Sequence, residues 1–256
     1  ILIILILITQ SLSAQTFSAK ADLRARYENR HGFSTLFNDS LEGGNFVVQR
    51  TRLIFNYSTE KIKLRVSPQN VRIWGDVSTT SDNDSANALH EAWAELDILS
   101  KLSLRIGRQE LNYDDARILG NVDWLMQARS HDLALLQIKP DTNNTLHLGF
   151  AMNATKEINT KEFYQVAGQY KYAQFLWYHR QFINAGLSIL SLNQGVPYLD
   201  TTSMEIAWNQ NSGARFNFNK MGISLEIAGY YQTGKIAQNT LSAYYGMAGL
   251  SFKTKS

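Results

Sequence analysis

The sequence predicts an all-β protein made of long strands, each with one apolar and one charged face. The stretch FSAKADLRARYENR, residues 17–30, alternates apolar and charged side chains with the period of two that a β-strand requires. Twelve Tyr, twelve Phe and five Trp favour strands over helices. Turns rich in Gly, Asn and Asp separate the alternating segments. These observations predict an antiparallel sheet rather than a disordered or helical chain.

Residues 1–14 form a separate segment that we interpret as the remnant of a signal peptide. ILIILILI, residues 1–8, has the length of a signal-peptide apolar core and is too short to span a bilayer as a helix. Ser11, Ser13 and Ala14 are the small residues expected before a cleavage site. A buried first strand is the alternative, but the run shows no alternation. We therefore expect an exported protein with one domain, residues 15–256.

Alternation recurs along the rest of the chain, and it predicts a dozen or more strands. Clear alternation covers residues 17–30, 50–58, 62–67, 71–76, 91–98, 102–107, 146–153 and 224–232. Weaker alternation predicts strands near residues 131–139, 163–172, 174–182, 184–192, 203–209, 214–219 and 242–252.

Two segments need a decision between alternatives. After Pro68 the apolar positions change phase, which predicts that Arg72 and Trp74 share a face with Arg65. ANALHEAWAELDILSKL, residues 86–102, has helical propensity, yet it continues the strand register on both sides. We predict a strand there.

A soluble sandwich and a membrane barrel both show this alternation, because both have one apolar and one polar face. Three observations favour a transmembrane up-and-down β-barrel. The leader indicates export, small residues are scattered over the apolar faces, and aromatic residues such as Phe17, Tyr27 and Tyr57 lie near strand ends, where a membrane interface would place them.

Composition argues against several other functions. The net charge of +3 is dispersed, which does not indicate a nucleic-acid partner. The chain has no Cys, and its five His show no ligand spacing, so we expect no metal and no cofactor. The sequence HEAWAE, which starts at His90, lacks the second His of a zinc protease helix. Glu91 and Glu95 match no acid/base pair. We therefore expect no catalytic residues and no enzyme.

Several stretches together resemble a known family. LRIGRQELNYDDARILGNVDW (residues 104–124) and NVRIWGD (residues 70–76) are similar to the signature segments of the alginate export family of outer-membrane porins. VQRTRL (48–53), HEAWAEL (90–96) and YYQTGK (230–235) match in the same order. The resemblance extends over most of the chain, from about residue 17 to residue 235.

The resemblance implies a barrel of about eighteen strands in the outer membrane of a Gram-negative bacterium. Its lumen would be narrowed by loops, rich in Arg, and open to an acidic polysaccharide. This chain holds fewer strands and ends without the usual terminal aromatic residue, so we expect an incomplete barrel lacking C-terminal strands, or a smaller one. The expected partners are an anionic polysaccharide or oligosaccharide, outer-membrane lipid, and a periplasmic export or uptake complex.

The charged faces supply the candidate site residues. The predicted lumen residues are Arg24, Arg26, Arg50, Arg52, Arg65, Arg72, Arg105, Trp74, Trp93, Glu91 and Glu95. The predicted motif loop contributes Arg108, Gln109, Glu110, Arg117, Asp123 and Trp124. Arg binds carboxylates bidentately and keeps its charge at all physiological pH values, which suits an acidic solute. Each Arg could instead pair across strands, and each Trp could fill the wall or stack on a sugar.

The sequence thus predicts an anion channel. The alternatives are an exported β-rich glycan-processing enzyme and a structural barrel without conductance.

Overall fold

The structure is a computed structural model that describes residues 15–32, 36–37, 40–157, 159, 164, 166, 169–201 and 203–253. The predicted leader, residues 1–14, lies outside the described residues. Within the described ranges no helix is long and apolar enough to cross a membrane.

Twelve strands in the described residues form one antiparallel sheet, in which each strand lies next to its neighbours in the sequence. The strands are β1 (Thr16–Arg30), β2 (Gly44–Ser58), β3 (Ile62–Ile73), β4 (Asn87–Leu99), β5 (Leu102–Gln109), β6 (His131–Ile138), β7 (Asn144–Met152), β8 (Tyr172–Gln181), β9 (Ala185–Asp200), β10 (Ser203–Lys220), β11 (Ile223–Ile236) and β12 (Asn239–Phe252). The predicted all-β up-and-down fold is confirmed. β1 and β12 are the edges, so the sheet is not closed over the described residues.

The connections differ in length at the two ends of the strands. At one end they are all short: 59–61, 100–101, 139–143, 182–184 and 221–222. At the other end they are long for the first four hairpins, at 31–43, 74–86, 110–130 and 153–171, and then tight at 201–202 and 237–238. Short turns at one end and longer loops at the other are typical of transmembrane β-sheets.

The pairing of β2 with β3 corrects the predicted change of phase at Pro68. One register runs along the whole of β3, in which Arg52 opposes Gln69 and Gln49 opposes Arg72. Because Gln49 and Arg52 are an odd number of residues apart, they point to opposite faces of β2. Arg72 therefore lies on the face opposite to Arg52.

Three other predicted elements can be compared with the structure. The strand predicted within residues 86–102 is confirmed as β4. The separate strands predicted at 203–209 and 214–219 are one strand, β10. The strand predicted at 163–172 is wrong over its described part, because residues 164, 166 and 169–171 are not in a strand and β8 begins at Tyr172.

Internal contacts cluster in two compact units, which we describe separately. The first comprises residues 1–95 and 107–131, and the second comprises residues 96–106 and 132–256. In the first unit the buried apolar residues come from the long connection after β5: Leu111, Tyr113, Leu119 and Met126. In the second they come mainly from strands, including Leu135, Phe175, Leu190, Leu192 and Tyr230.

In both units one face of the sheet carries large apolar side chains that remain exposed. The first unit exposes Leu23, Leu53 and Leu64. The second exposes Ile227 and Leu250. Contiguous apolar area of this kind is unfavourable in water and is the usual surface of a strand against lipid. We refer to it as the apolar face, and to the opposite side as the charged face.

Candidate functional site

The candidate site lies on the charged face of the first unit, where basic residues from three strands meet. Alternation places Arg24 and Arg26 on one side of β1, and pairing sets Arg24 opposite Arg50 and Asp22 opposite Arg52. Arg65 on β3 shares this side, because it opposes Asn56 of β2. The structure thus brings together five of the predicted lumen residues.

The connection between β5 and β6, residues 110–130, lies on this charged face. Asp123 is held between two guanidinium groups: Arg24 Nη2 donates to its Oδ2 at 2.9 Å, and Arg50 Nη1 donates to its Oδ1 at 2.8 Å. Arg24 Nη1 also donates to the Asp123 carbonyl at 2.6 Å. Gln69 Nε2 donates to the carbonyl of Gln127 at 3.0 Å. We call residues 110–130 the inserted loop.

Arg50 and Arg52 are covered by this arrangement rather than open to solvent. Arg50 is 1% exposed and Arg52 is 5% exposed. Arg50 forms ion pairs with Asp22 and Asp123, and it donates to the carbonyl of Met126 at 3.2 Å. Arg52 donates twice to Gln69 Oε1, at 2.9 and 2.8 Å. In this conformation the two side chains hold the inserted loop and do not face a solute.

Glu110 anchors the start of the inserted loop. Its Oε1 lies 2.6 Å from His90 Nε2 and 3.6 Å from Arg52 Nη1, and its Oε2 accepts a hydrogen bond from Asn121 at 2.9 Å. Burial opposes ionisation of this carboxyl, but the hydrogen bonds from His90 and Asn121 and the charges of His90 and Arg52 outweigh it. The pKa of Glu110 is therefore lowered.

Asp123 shows the same balance of forces. Burial again opposes the charged form, yet the hydrogen bonds from Arg24 and Arg50, together with their charges, lower the pKa of this carboxyl below its ordinary value of 3.8. The carboxyl groups of Glu110 and Asp123 are thus both ionised at neutral pH.

A second group of charges lies further along the same face, on β3 and β4. Arg65 Nη1 donates to Glu91 Oε2 at 3.0 Å, and Lys63 Nζ donates to Glu95 Oε1 at 2.7 Å. Trp93 Nε1 donates to Glu91 Oε1 at 3.0 Å, and the Arg65 guanidinium lies 5.6 Å from the Trp93 ring centre. The two carboxylates are buried, whereas the two cations are half-exposed.

Two predicted lumen residues lie on the opposite face of the sheet. Arg72 lies on the opposite face, where it forms an ion pair with Asp84 and donates to Asn70 at 2.7 Å. Trp74 lies beside it, and its Nε1 donates to Gln49 at 2.9 Å. The alternation after Pro68 misled the prediction, because Val71 and Ile73 are apolar but lie on the charged face.

The remaining predicted residues occupy several positions. Arg105 lies in β5, in the part of that strand that belongs to the second unit. Arg108 Nε donates to the carbonyl of Leu89 at 3.0 Å, and Gln109 is fully buried at the end of β5. Arg117 is half-exposed and lies 3.7 Å from Asp115.

Two residues of the site were not assigned a role from the sequence: Gln69 and His90. Alternation alone places Asp22 on the charged side of β1, between two basic positions. Gln69 was obscured by the incorrect phase, and His90 acquires its partner only through contacts across the fold. Among the described residues no three His, Asp or Glu side chains lie close enough to hold a metal ion.

An antiparallel sheet with an exposed apolar face and a charged face that carries an inserted loop defines a transport protein of the outer-membrane porin class. A family model identifies the family within this class: residues 15–256 match the model described as alginate export. The chain belongs to the alginate export family.

Two solved structures of porins are similar to this chain. A BenF-like porin from Pseudomonas fluorescens Pf-5 is 13% identical with a TM-score of 0.44, and the alignment covers 85% of this chain and 67% of that chain. OmpF of Salmonella typhi in complex with daunomycin is 11% identical with a TM-score of 0.43, and the alignment covers 94% of this chain and 86% of that chain. No curated protein matches the sequence.

Proposed function

We propose that this protein is an outer-membrane channel for an acidic polysaccharide, such as a polyuronate, or for a smaller anionic solute. The solute passes along the charged face of the first unit. Membership of the alginate export family supports a polysaccharide cargo. A periplasmic export or uptake complex is the proposed partner, and residues 1–14 are the proposed leader that directs the chain to export.

The observation that carries the proposal is a set of cations that are paired yet still accessible. The side chains of Arg24, Arg26, Lys63 and Arg65 are 36, 45, 47 and 36% exposed. Each lies within hydrogen-bond distance of a carboxylate of the protein. A carboxylate of the solute competes with that partner, so no single site holds the solute strongly.

Weak attraction of the solute to several accessible cations, rather than strong attraction to one, favours its passage. A polymer with one carboxylate per sugar can exchange partners one cation at a time, and each exchange restores an ion pair of the protein behind it. Conduction requires binding that is favourable enough for entry and weak enough for release. Arg50 and Arg52 contribute indirectly, because they hold the inserted loop against the same face.

Ion selectivity in planar bilayers tests the proposal. We expect reconstituted protein to give anion-selective currents that a polyuronate oligosaccharide blocks. Arg65→Gln should lower the anion-to-cation permeability ratio, since it removes an accessible cation from the charged face. Arg72→Gln is the matched control, because it removes the same charge from the opposite face.

Three outcomes would contradict the proposal. Cation selectivity of the native protein would reject the anionic solute. An equal effect of Arg65→Gln and Arg72→Gln would reject the charged face as the path. Correctly inserted protein without current would favour a structural sheet without conductance.

A further inference from the structure

Trp124 is a large aromatic side chain that the fold leaves exposed on the charged face. Its side chain belongs to the inserted loop and is 72% exposed. Its carbonyl accepts a hydrogen bond from Arg26 Nη1 at 3.4 Å, and Arg26 lies on the charged side of β1. Trp124 is therefore not part of the apolar face, and contact with lipid does not account for its exposure.

The backbone around Trp124 is held in place although the ring is exposed. Arg24 and Arg50 bind the preceding residue, Asp123, through its carbonyl and both of its carboxylate oxygens. Val122 has a positive φ of 53°, a conformation that is unusual for a β-branched residue. Strained backbone of this kind persists where surrounding contacts impose it, and it is concentrated at functional sites. An exposed ring on a fixed backbone is suited to receiving a ligand.

Two other tryptophans of the first unit show why Trp124 differs. The Trp93 ring already lies 5.6 Å from the Arg65 guanidinium, and its Nε1 is bonded to Glu91. Trp74 is 61% exposed, but it lies on the apolar face. Of these three rings, Trp124 alone combines exposure with a position on the charged face.

The cations beside Trp124 select the chemistry of the ligand. Arg26 is 45% exposed and uses Nε and Nη2 for Glu28, while its Nη1 approaches the Trp124 carbonyl. In the ion pairs of Arg26 and of the preceding residue, Asp123, together with those that share their partners, four cations (Arg24, Arg26, Arg30 and Arg50) are set against three carboxylates (Asp22, Glu28 and Asp123), which leaves a positive balance. A ligand that fits has a flat apolar surface next to a carboxylate.

We propose that Trp124 and Arg26 form a binding subsite for one uronate unit of an acidic glycan. The C–H groups on one face of the pyranose ring pack on the indole, whose π-face is electron-rich. The sugar carboxylate pairs with the Arg26 guanidinium in competition with Glu28. This inference rests on the proposed function, because it specifies how the charged face holds the solute that the channel carries.

Calorimetric titration of detergent-refolded protein with a hexameric polyuronate tests the subsite without requiring conduction. We expect Trp124→Ala to weaken binding about tenfold, the scale of one aromatic contact, and Trp124→Phe to restore most of the affinity. Trp74→Ala is the matched control, because it removes an exposed indole from the opposite face. Arg26→Gln should weaken binding of the polyuronate while leaving the weaker binding of a neutral hexasaccharide unchanged.

The outcomes separate the subsite from the channel. Unchanged affinity in Trp124→Ala, or equal losses in Trp124→Ala and Trp74→Ala, would overturn the subsite even if the protein conducts anions. Affinity that depends on Trp124 in a protein that carries no current would support the subsite and reject the channel. Absence of any polyuronate binding by native protein that conducts anions would also overturn the subsite.

Discussion

Arg50 is the residue on which the candidate site depends most directly. It is a fully buried cation with an ion pair to Asp22 of the neighbouring strand and another to Asp123 of the inserted loop. A buried charge is stable only while its partners remain in place, and removal of one member is costly because the others lose their compensation. Arg50 therefore couples the β1–β2 hairpin to the position of the loop.

We expect Arg50→Gln to lower the free energy of unfolding by about 3 kcal/mol, because Asp22 and Asp123 lose their shared cation. Arg24→Gln, at a half-exposed position beside the same carboxylate, should cost about 1 kcal/mol or less. Urea unfolding in lipid vesicles measures both. Equal losses of unfolding free energy in the two variants would show that the burial of Arg50 adds nothing to its stabilisation of the inserted loop.

The lowered pKa values of Asp123 and Glu110 predict that the stability of the folded protein depends on pH. The pKa values of Asp123 and Glu110 are lowered in the folded protein from ordinary values of 3.8 and 4.5. A lowered folded-state pKa gives stability that is complete above the ordinary value and is lost as the pH falls through the folded-state value. We expect the thermal midpoint to be constant from neutral pH to about pH 5 and to fall below about pH 4. Asp123→Asn should reduce that acid-induced fall, and an unchanged profile would contradict this assignment.

At the scale of elements, the end of β5 determines where the inserted loop leaves the sheet. Gly107 has a φ of 123°, and a Cβ there would lie 2.3 Å from the Ala92 carbonyl oxygen and 2.9 Å from the Trp93 Cα. Backbone atoms cannot move aside as a flexible side chain can. Only glycine allows β5 to lie this close to β4.

We expect Gly107→Ala to destabilise the protein by about 4 kcal/mol or to prevent folding, because it adds a backbone clash to a strained φ. Gly75→Ala is the matched control: Gly75 also has a positive φ, 87°, but a Cβ there meets nothing within 4 Å. That variant should lose about 1 kcal/mol. Electrophoretic mobility of folded and unfolded forms, with denaturant titration, distinguishes the two.

The strands were largely predictable from the sequence, because period-two alternation directly reflects a sheet with two unlike faces. It failed where both faces are polar, as in Asn209–Gly213 within β10, and where apolar residues lie on the charged face, as Val71 and Ile73 do. The strand identity of β4 was predicted correctly, since register outweighed helical propensity.

The site was less predictable than the fold. The shared face of Arg24, Arg26, Arg50, Arg52 and Arg65 follows from alternation, so the sequence indicated where the charges collect. The burial of Arg50 and Arg52 does not follow from any local pattern. It results from a loop whose contact residues are distant in sequence, and only the assembled fold determines which arginines remain accessible.

For the whole molecule, the exposed apolar face implies a lipid environment. Ile227 lies on this face of β11, and Gln232 lies on the opposite face of the same strand. An arginine placed against hydrocarbon costs far more than one placed against water.

We expect Ile227→Arg to lower the stability of the protein in lipid vesicles by about 2–4 kcal/mol and Gln232→Arg to change it by less than about 1 kcal/mol. Denaturant titration of vesicle-inserted protein measures both. A neutral result for Ile227→Arg would mean that this face meets water, and the membrane assignment would then be wrong.

The hydrogen bonds between Arg24 and Asp123 join residues that are 99 positions apart. Bringing such distant segments together carries a large loop-closure entropy, and contacts of this separation form slowly. The neighbouring hairpins, which close through adjacent strands, should therefore assemble first. Docking of the inserted loop on the arginines would then be a late kinetic event, so a newly inserted molecule passes through a stage in which Arg24 and Arg50 are not yet covered.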